Sequence, residues 1–255
     1  MTGAERAFFA EHGWVVLRGV ITAARAAELE AALDAVLPEA SYVAWGERIV
    51  EIAGVSHASP ALAAQVHDPA LAAIAGALLA ADRVQLLQDT ALIKPAAGQA
   101  TLAWHQDFSY LGYLDRPGVV TARVALTPCT EESGCLRVID GSHAWGLHGD
   151  DLAFRLASVA DTLDALPDEL RARVHAAERT VELAPGDVSV HHCLTFHGSG
   201  RNRAAHTRKT LAIRFLDGAA RLVPERIPEH LRTIFTADGD GHLAGPMFPQ
   251  LWARA

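Results

Sequence analysis

The apolar positions of this chain change their period once, close to residue 80. Before that point most of them are spaced for helices. "AERAFFAE" (4–11) reads as a short amphipathic helix, and "TAARAAELEAALDAVL" (22–37) as a longer one with Thr22 as its N-cap. "DPALAAIAGALLA" (68–80) opens on Asp68 with Pro69 in the first turn, and is apolar nearly all round, so it must pack against other elements. "GWVVLRGV" (13–20) and "RIVEI" (48–52) are compact strands among these helices. From residue 84 onward the period is that of strands. "VQLLQDTALIK" (84–94), "VVTARVAL" (119–126) and "CLRVID" (135–140) are divided by the turn sequences "PAAGQ", "DRPG" and "EESG". Residues 144–180 interrupt the series as a helical or irregular insertion. "RTVEL" (179–183), the turn "APGD", "VSVHHCL" (188–194) and "RKTLAIRF" (208–215) then resume it. The remainder, 218–255, mixes proline, glycine and charge, and is expected to form a loop-rich lid or wrap.

Helices first and then strands indicate an α+β, mainly β, fold. No linker divides the chain, so a single domain over 1–255 is expected. Eight strands are the complement of a jelly roll, whose two sheets leave a cleft walled by inward-facing side chains.

Charge and composition narrow the partners. The formal net charge is −8 and there is no dense run of basic residues, which disfavours nucleic acid and anionic membranes. No apolar run approaches the length of a membrane span, and no basic segment followed by an apolar one marks a standard export signal. Three cysteines, Cys129, Cys135 and Cys193, without a CxxC, point away from a disulfide scaffold or a thiolate zinc site and toward a reducing cytoplasm. The two lysines, Lys94 and Lys209, stand out in an arginine-rich chain. Lys94 ends an otherwise apolar run, where an unpaired lysine is rarely buried without a function.

The chemistry concentrates in "AWHQDFSYLGY" (103–113). His105 and Asp107, two apart, would point the same way at a strand end, aimed at a metal, at a proton relay, or at nothing. HxD alone is a weak signal among 13 histidines. A catalytic non-heme iron takes two histidines and one carboxylate on one face and leaves the other face open. The second histidine must then come from His191, His192, His197 or His206, and His197, at a glycine-rich bend beyond an apolar strand, fits best. Arg208 follows eleven residues later. If its strand returns antiparallel beside the preceding one, its guanidinium comes close to His197, placed to hold a carboxylate in bidentate fashion.

Four stretches, "GWVVLRGVITAARAAEL", "WHQDFSYL", "EESGCLRVIDGSH" and "GDVSVHHCLTFHGSGRNRAAHTRKTLAIRF", resemble, in order and over most of the chain, the phytanoyl-CoA dioxygenase family of iron(II)- and 2-oxoglutarate-dependent oxygenases, which includes ectoine hydroxylase. The resemblance implies a double-stranded β-helix with helices packed outside. It makes His105, Asp107 and His197 the iron ligands, Arg208 the anchor of the distal carboxylate of 2-oxoglutarate, and Ser199 a further co-substrate contact. Lys94 and Gln88 resemble a pair in which the lysine meets 2-oxoglutarate and the glutamine faces the substrate. Many members carry tryptophan where this chain has Arg123, which either faces the cleft, to select an anionic or oxygen-rich substrate, or points outward. The carboxylate at Asp107 implies hydroxylation or another oxidation, because related halogenases carry a small residue there. Fe(II), 2-oxoglutarate and O2 are the implied cofactor and co-substrates, with succinate and CO2 as products, and the substrate is a small molecule, in keeping with natural-product biosynthesis.

The remaining polar and aromatic residues have plainer readings. Of His191 and His192, one faces inward and one outward. Ser142 and His143 fix a turn, and Cys193 is a small core residue. Trp104, Phe108, Tyr110 and Tyr113 line the core or cleft, with one of them, such as Phe108, against the substrate. Two other functions stay open on the residues themselves. One is a cupin-like metal-dependent isomerase or lyase that does not use 2-oxoglutarate; the other is a binding protein that kept the fold.

Overall fold

The structure, a computed structural model, describes residues 1–37, 43–45, 49–148 and 166–254. The chain opens with the helix Gly3–His12 (α1), the strand Trp14–Leu17 (β1) and the helix Ala23–Val36 (α2). Val43–Trp45 (β2) and Ile49–Ala53 (β3) pair as a hairpin and are followed by Pro60–Val66 (α3) and Pro69–Leu79 (α4). The strands then run Arg83–Lys94 (β4), Leu102–His105 (β5), Val119–Ala125 (β6) and Leu136–Ile139 (β7). After the helix Asp168–Ala177 (α5) come Glu178–Val181 (β8), Val188–His192 (β9), His197–Ser199 (β10) and Arg208–Asp217 (β11). The tail adds the short pair Thr236–Ala237 (β12) and Leu243–Ala244 (β13), and finally Gln250–Ala253 (β14).

These strands build the two walls of a jelly roll. The large sheet has the order β1-β9-β6-β11-β4-β3-β2, with β14 also on β4; the small sheet has the order β5-β10-β7-β8. The pairings are antiparallel throughout. Alternation along the large sheet separates two faces. Val120, Ala122, Val124, Val188, Val190, Leu211, Ile213 and Phe215 form one core with Phe9 of α1, Leu29 and Leu33 of α2, Leu62 and Val66 of α3, and Leu71 and Ala75 of α4. The alternate residues, Thr121, Arg123, Ser189, His191, Arg208, Thr210 and Arg214, are largely polar and face the small sheet. A helix layer thus covers the outside of the large sheet, and a polar cleft lies between the sheets.

The helix caps follow the sequence. Thr22 Oγ1 accepts from the Arg25 backbone N–H, and the Asp68 carboxylate from that of Ala70. α3 was not legible, because seven alanine-rich residues show too little periodicity. Pro60–Leu79 is long and apolar enough to meet the composition of a membrane span, but it is two helices separated at His67–Asp68, with Leu62, Val66, Leu71 and Ala72 in the core. Of the insertion expected at 144–180, residues 149–165 lie outside the described residues, and β8 at its far end is an edge strand of the small sheet. The tail wraps one end of the roll. Leu222, Ile227, Leu243 and Phe248 pack with Leu87, Val119 and Leu216, and β14 lies antiparallel to the start of β4.

Gly76 of α4 is where tail and helix layer meet: a Cβ there would come within 2.5 Å of the Trp252 ring of β14. Gly76→Val is therefore expected to destabilise the protein by about 1–3 kcal/mol through overpacking. Thermal unfolding measures this, and an unchanged Tm would show that β14 does not press on α4.

Candidate active site

Three side chains meet between the sheets. The ligand atoms of His105, Asp107 and His197 all lie within 4.8 Å of one another, and all three residues are buried. His105 and His197 are cross-strand partners of β5 and β10, which places their rings on the same side of the small sheet with centroids 4.0 Å apart. Asp107 arrives differently from the expected strand geometry. β5 ends at His105, and Asp107 opens the single 3₁₀ turn Asp107–Tyr110 that swings the carboxylate back beside the imidazoles. Its Oδ1 is 3.8 Å from Nε2 of each histidine.

The tautomers are fixed by the backbone. Nδ1 of His105 is 2.9 Å from the Ala103 carbonyl and Nδ1 of His197 is 2.9 Å from the Thr195 carbonyl. A carbonyl only accepts, so each Nδ1 carries the proton and each Nε2 presents its lone pair to the common point. Burial pushes the His105 imidazole down to about 4 and holds that of His197 well below its ordinary value, so both are neutral donors near pH 7. Burial acts to raise the Asp107 carboxyl, but Arg214, His197 and His191 outweigh it and hold it well below the usual carboxylate range. Two neutral imidazoles and one anion form the donor set that a divalent iron takes.

The large sheet supplies the support for Asp107. Gln88, Arg214, Thr121 and His191 stand in one row across β4, β11, β6 and β9. Thr121 donates its hydroxyl to Asp107 Oδ2 at 2.7 Å, and His191 Nε2 lies 3.4 Å from the same oxygen. Arg214 donates to Asp107 Oδ1 at 2.9 Å and to Gln88 Oε1 at 2.6 Å. Between His105 and Asp107, the Gln106 side chain donates to the carbonyls of Gly146 and Leu194 while accepting from the His148 N–H. Thr121, Arg214 and Gln106 were not singled out in the sequence. Arg214 had a signal, since six residues from Arg208 on one strand is the same face.

A second cluster is basic. Arg208 and Lys94 are cross-strand partners on β11 and β4, each 2% exposed. Lys94 donates to Ser199 Oγ at 2.7 Å and to the Gly200 carbonyl; Arg208 donates to the Gly134 carbonyl. Arg208 thus does not return beside the strand that precedes it. It lies on β11, between β4 and β6 in the large sheet, while His197 is on β10 in the small sheet, and Lys94 spans the gap to Ser199, two residues from His197. Arg123 faces inward, 5% exposed. Among the described residues none of these three cations forms an ion pair with a carboxylate. The buried Nε of Arg208 and the hydroxyls of Thr90 and Ser189 on the same face have no partner among the described residues. Buried polar groups left in this way fit an absent anion rich in oxygen.

The other residues fall as follows. Phe108 is half-buried against the cluster of Tyr113 and Leu114 that meets the tail. Tyr110 stands edge-on to His105, with centroids 6.0 Å apart. His191 faces the site and His192 the other face, where its Nδ1 accepts from the Leu194 N–H. Ser142 fixes its turn by donating to the Ile139 carbonyl and accepting from the Phe196 N–H. Cys193 is a fully buried core residue. His206 is peripheral, its Nε2 against the Pro128 carbonyl.

A jelly roll with two imidazoles and a carboxylate converging on its inner wall is the frame of a mononuclear non-heme iron enzyme. The sequence profile described as phytanoyl-CoA dioxygenase matches residues 9–210, and the chain belongs to that family. The peroxisomal phytanoyl-CoA dioxygenase of Bos taurus is 30% identical over 115 residues, 44% of this chain and 33% of that protein, so the match spans a third of the curated relative's length. Among solved structures, SnoK, an alpha ketoglutarate dependent carbocyclase from nogalamycin biosynthesis, superposes with a TM-score of 0.81 at 24% identity over 98% of this chain and 96% of its own. The epimerase SnoN, in complex with Fe3+, alpha ketoglutarate and nogalamycin RO, gives 0.79 at 25% identity over 98% of each chain. Both share the jelly-roll fold.

Thr121→Val keeps the side-chain volume and removes the hydroxyl from Asp107 Oδ2. It is expected to weaken Co(II) binding about 10–100-fold, as loss of a ligand's supporting hydrogen bond commonly does, with the fold retained. Calorimetric titration checks this; wild-type affinity in the variant would mean that Thr121 does not orient the carboxylate.

Proposed function

We propose that this chain is an iron(II)- and 2-oxoglutarate-dependent dioxygenase that hydroxylates an unactivated C–H bond of a small molecule, in natural-product biosynthesis. The observation that carries the proposal is the pairing, in one cleft, of a buried His105–Asp107–His197 face with a buried Arg208–Lys94 cluster that lacks any described carboxylate partner. The first fits a ferrous ion and the second fits the far carboxylate of a keto-diacid. The work of SnoK and SnoN in nogalamycin biosynthesis supports a natural-product setting.

The protein's part is orientation and exclusion of water. His105 and His197, locked by Ala103 and Thr195, and Asp107, locked by Thr121 and Arg214, would hold the iron with little freedom. Arg208 would pair with the distal carboxylate of 2-oxoglutarate, with Lys94 and Ser199 alongside. When bound, iron and 2-oxoglutarate supply the O2-dependent oxidation, which releases succinate and CO2. Gln88, Arg214 and Phe108 stand on the side of the ligands nearer the tail, where Leu222, Ile227 and Phe248 close the end of the roll. That side is the substrate's, and the tail acts as its lid.

Anaerobic reconstitution tests the proposal. The wild-type chain is expected to bind one Fe(II), to bind 2-oxoglutarate only with metal present and, once O2 is admitted, to release succinate in the presence of a substrate from a small-molecule panel. Asp107→Ala should lose metal binding and succinate release. Turnover of a panel compound without succinate would instead favour a redox-neutral isomerase or lyase.

Lys94 gives a pH signature. Burial, then Arg208 and Arg123, push its ammonium down to about 6. Between that value and the 10.5 of a free lysine the unfolded chain binds more protons than the folded one, so this group's contribution to stability rises with pH across that window. An arriving carboxylate raises the Lys94 pKa again, so 2-oxoglutarate binding near pH 7 is expected to take up a proton. Calorimetry in buffers of different ionisation heat reads this directly. Lys94→Met should remove the uptake, raise the Tm of the ligand-free protein at pH 7 and weaken 2-oxoglutarate binding.

A further inference from the structure

We infer that Arg123 is a second guanidinium for the distal carboxylate of 2-oxoglutarate, sharing it with Arg208. This assigns Arg123 to the co-substrate, not to the substrate, and rests on the function proposed above.

The placement comes from the register of β6 and β11. Arg123 is opposite Ala212 on one side and Ser189 of β9 on the other, and all three face the cleft. Two residues before it on the same face, Thr121 holds Asp107. Across the sheet, Thr210 stands two residues beyond Ala212 toward Arg208. The Arg123 side chain turns toward that second end: its Nη2 donates to Thr210 Oγ1 at 3.3 Å. Its guanidinium therefore lies between the metal-binding row and Arg208, on the path a keto-diacid would take if it reached from one to the other.

A structural role accounts poorly for such a residue. Arg123 is 5% exposed, and that one long hydrogen bond is its only described polar contact. Among the described residues no carboxylate lies within ion-pair distance of it. A buried, uncompensated cation is costly, and an apolar side chain of similar size would pack at least as well. Its flanking neighbours, Ala212 and Ser189, are small, and the Ser189 hydroxyl has no partner among the described residues. The distal carboxylate, bound between Arg123 and Arg208 with Lys94 alongside, would give both guanidiniums an anionic partner.

The test uses the full chain loaded with Mn(II) under anaerobic conditions and two probes. One is 2-oxoglutarate; the other is 2-oxopentanoate, which has the same keto-acid head and no distal carboxylate. Binding is followed by calorimetry, and the Tm of each variant by thermal unfolding. Arg123→Met is expected to weaken 2-oxoglutarate about 10–100-fold, the loss of a charge-assisted pair. It should leave 2-oxopentanoate within about twofold, and Arg123→Lys should recover part of the difference. Equal affinity of wild type and Arg123→Met for 2-oxoglutarate would overturn the assignment while leaving the proposed function intact. So would an equal loss for both probes. Should Arg123→Met fail to fold, Arg123→Lys and Thr210→Val carry the same comparison, and wild-type selectivity in both would overturn it. A wild-type chain that binds Mn(II) and ignores 2-oxoglutarate would remove the proposed function and this assignment together.

Discussion

The buried carboxylate of Asp107 ties the two walls of the roll together. It belongs to the turn after β5 in the small sheet, yet its oxygens are held by Thr121, His191 and Arg214 from three strands of the large one. An anion so far from water persists only where donors and charge compensate it fully. The polar row on the inner face of the large sheet is that compensation, and it places the carboxylate oxygen beside two imidazoles whose tautomers the backbone has already chosen. The convergence of the three side chains thus goes together with the satisfaction of one buried charge.

The same logic divides the cleft into regions of different character. Around Asp107 the charges are matched: one acid pairs directly with one guanidinium, with neutral imidazoles beside it. Further along β11, β6 and β4 they are not: among the described residues Arg208, Arg123 and Lys94 have only hydroxyls and carbonyls as partners. The imbalance is chemically specific, because a neutral guest would relieve none of it, whereas a carboxylate would give the guanidiniums an anionic partner.

Much of this was legible in the residues. β4, β6 and β11 and the caps at Thr22 and Asp68 followed from period and turn chemistry, and the convergence of His105, Asp107 and His197 was expected from the family's motifs. What pattern alone could not give was the sense of the faces. "VVTARVA" alternates as a half-exposed strand would, with Thr121 and Arg123 on the face normally given to water. In the fold that face looks into the cleft and the apolar one meets the helix layer, so Arg123 could not be placed beforehand. Nor could the strand identity of Leu102–His105 and His197–Ser199, which are too short to show a period and exist because they pair with each other. Arg214 and Gln106 were hidden for a related reason: their roles depend on partners far away in sequence, and nothing local marks them.

The Gln106 amide has an architectural effect of its own. By gripping the carbonyls of Gly146 and Leu194 and the amide of His148, it fastens these stretches of backbone to the residue between His105 and Asp107. The turn that carries the carboxylate is thereby pinned through its chain neighbour as well as through its own oxygens, so a change at this one amide would loosen the acid without touching it.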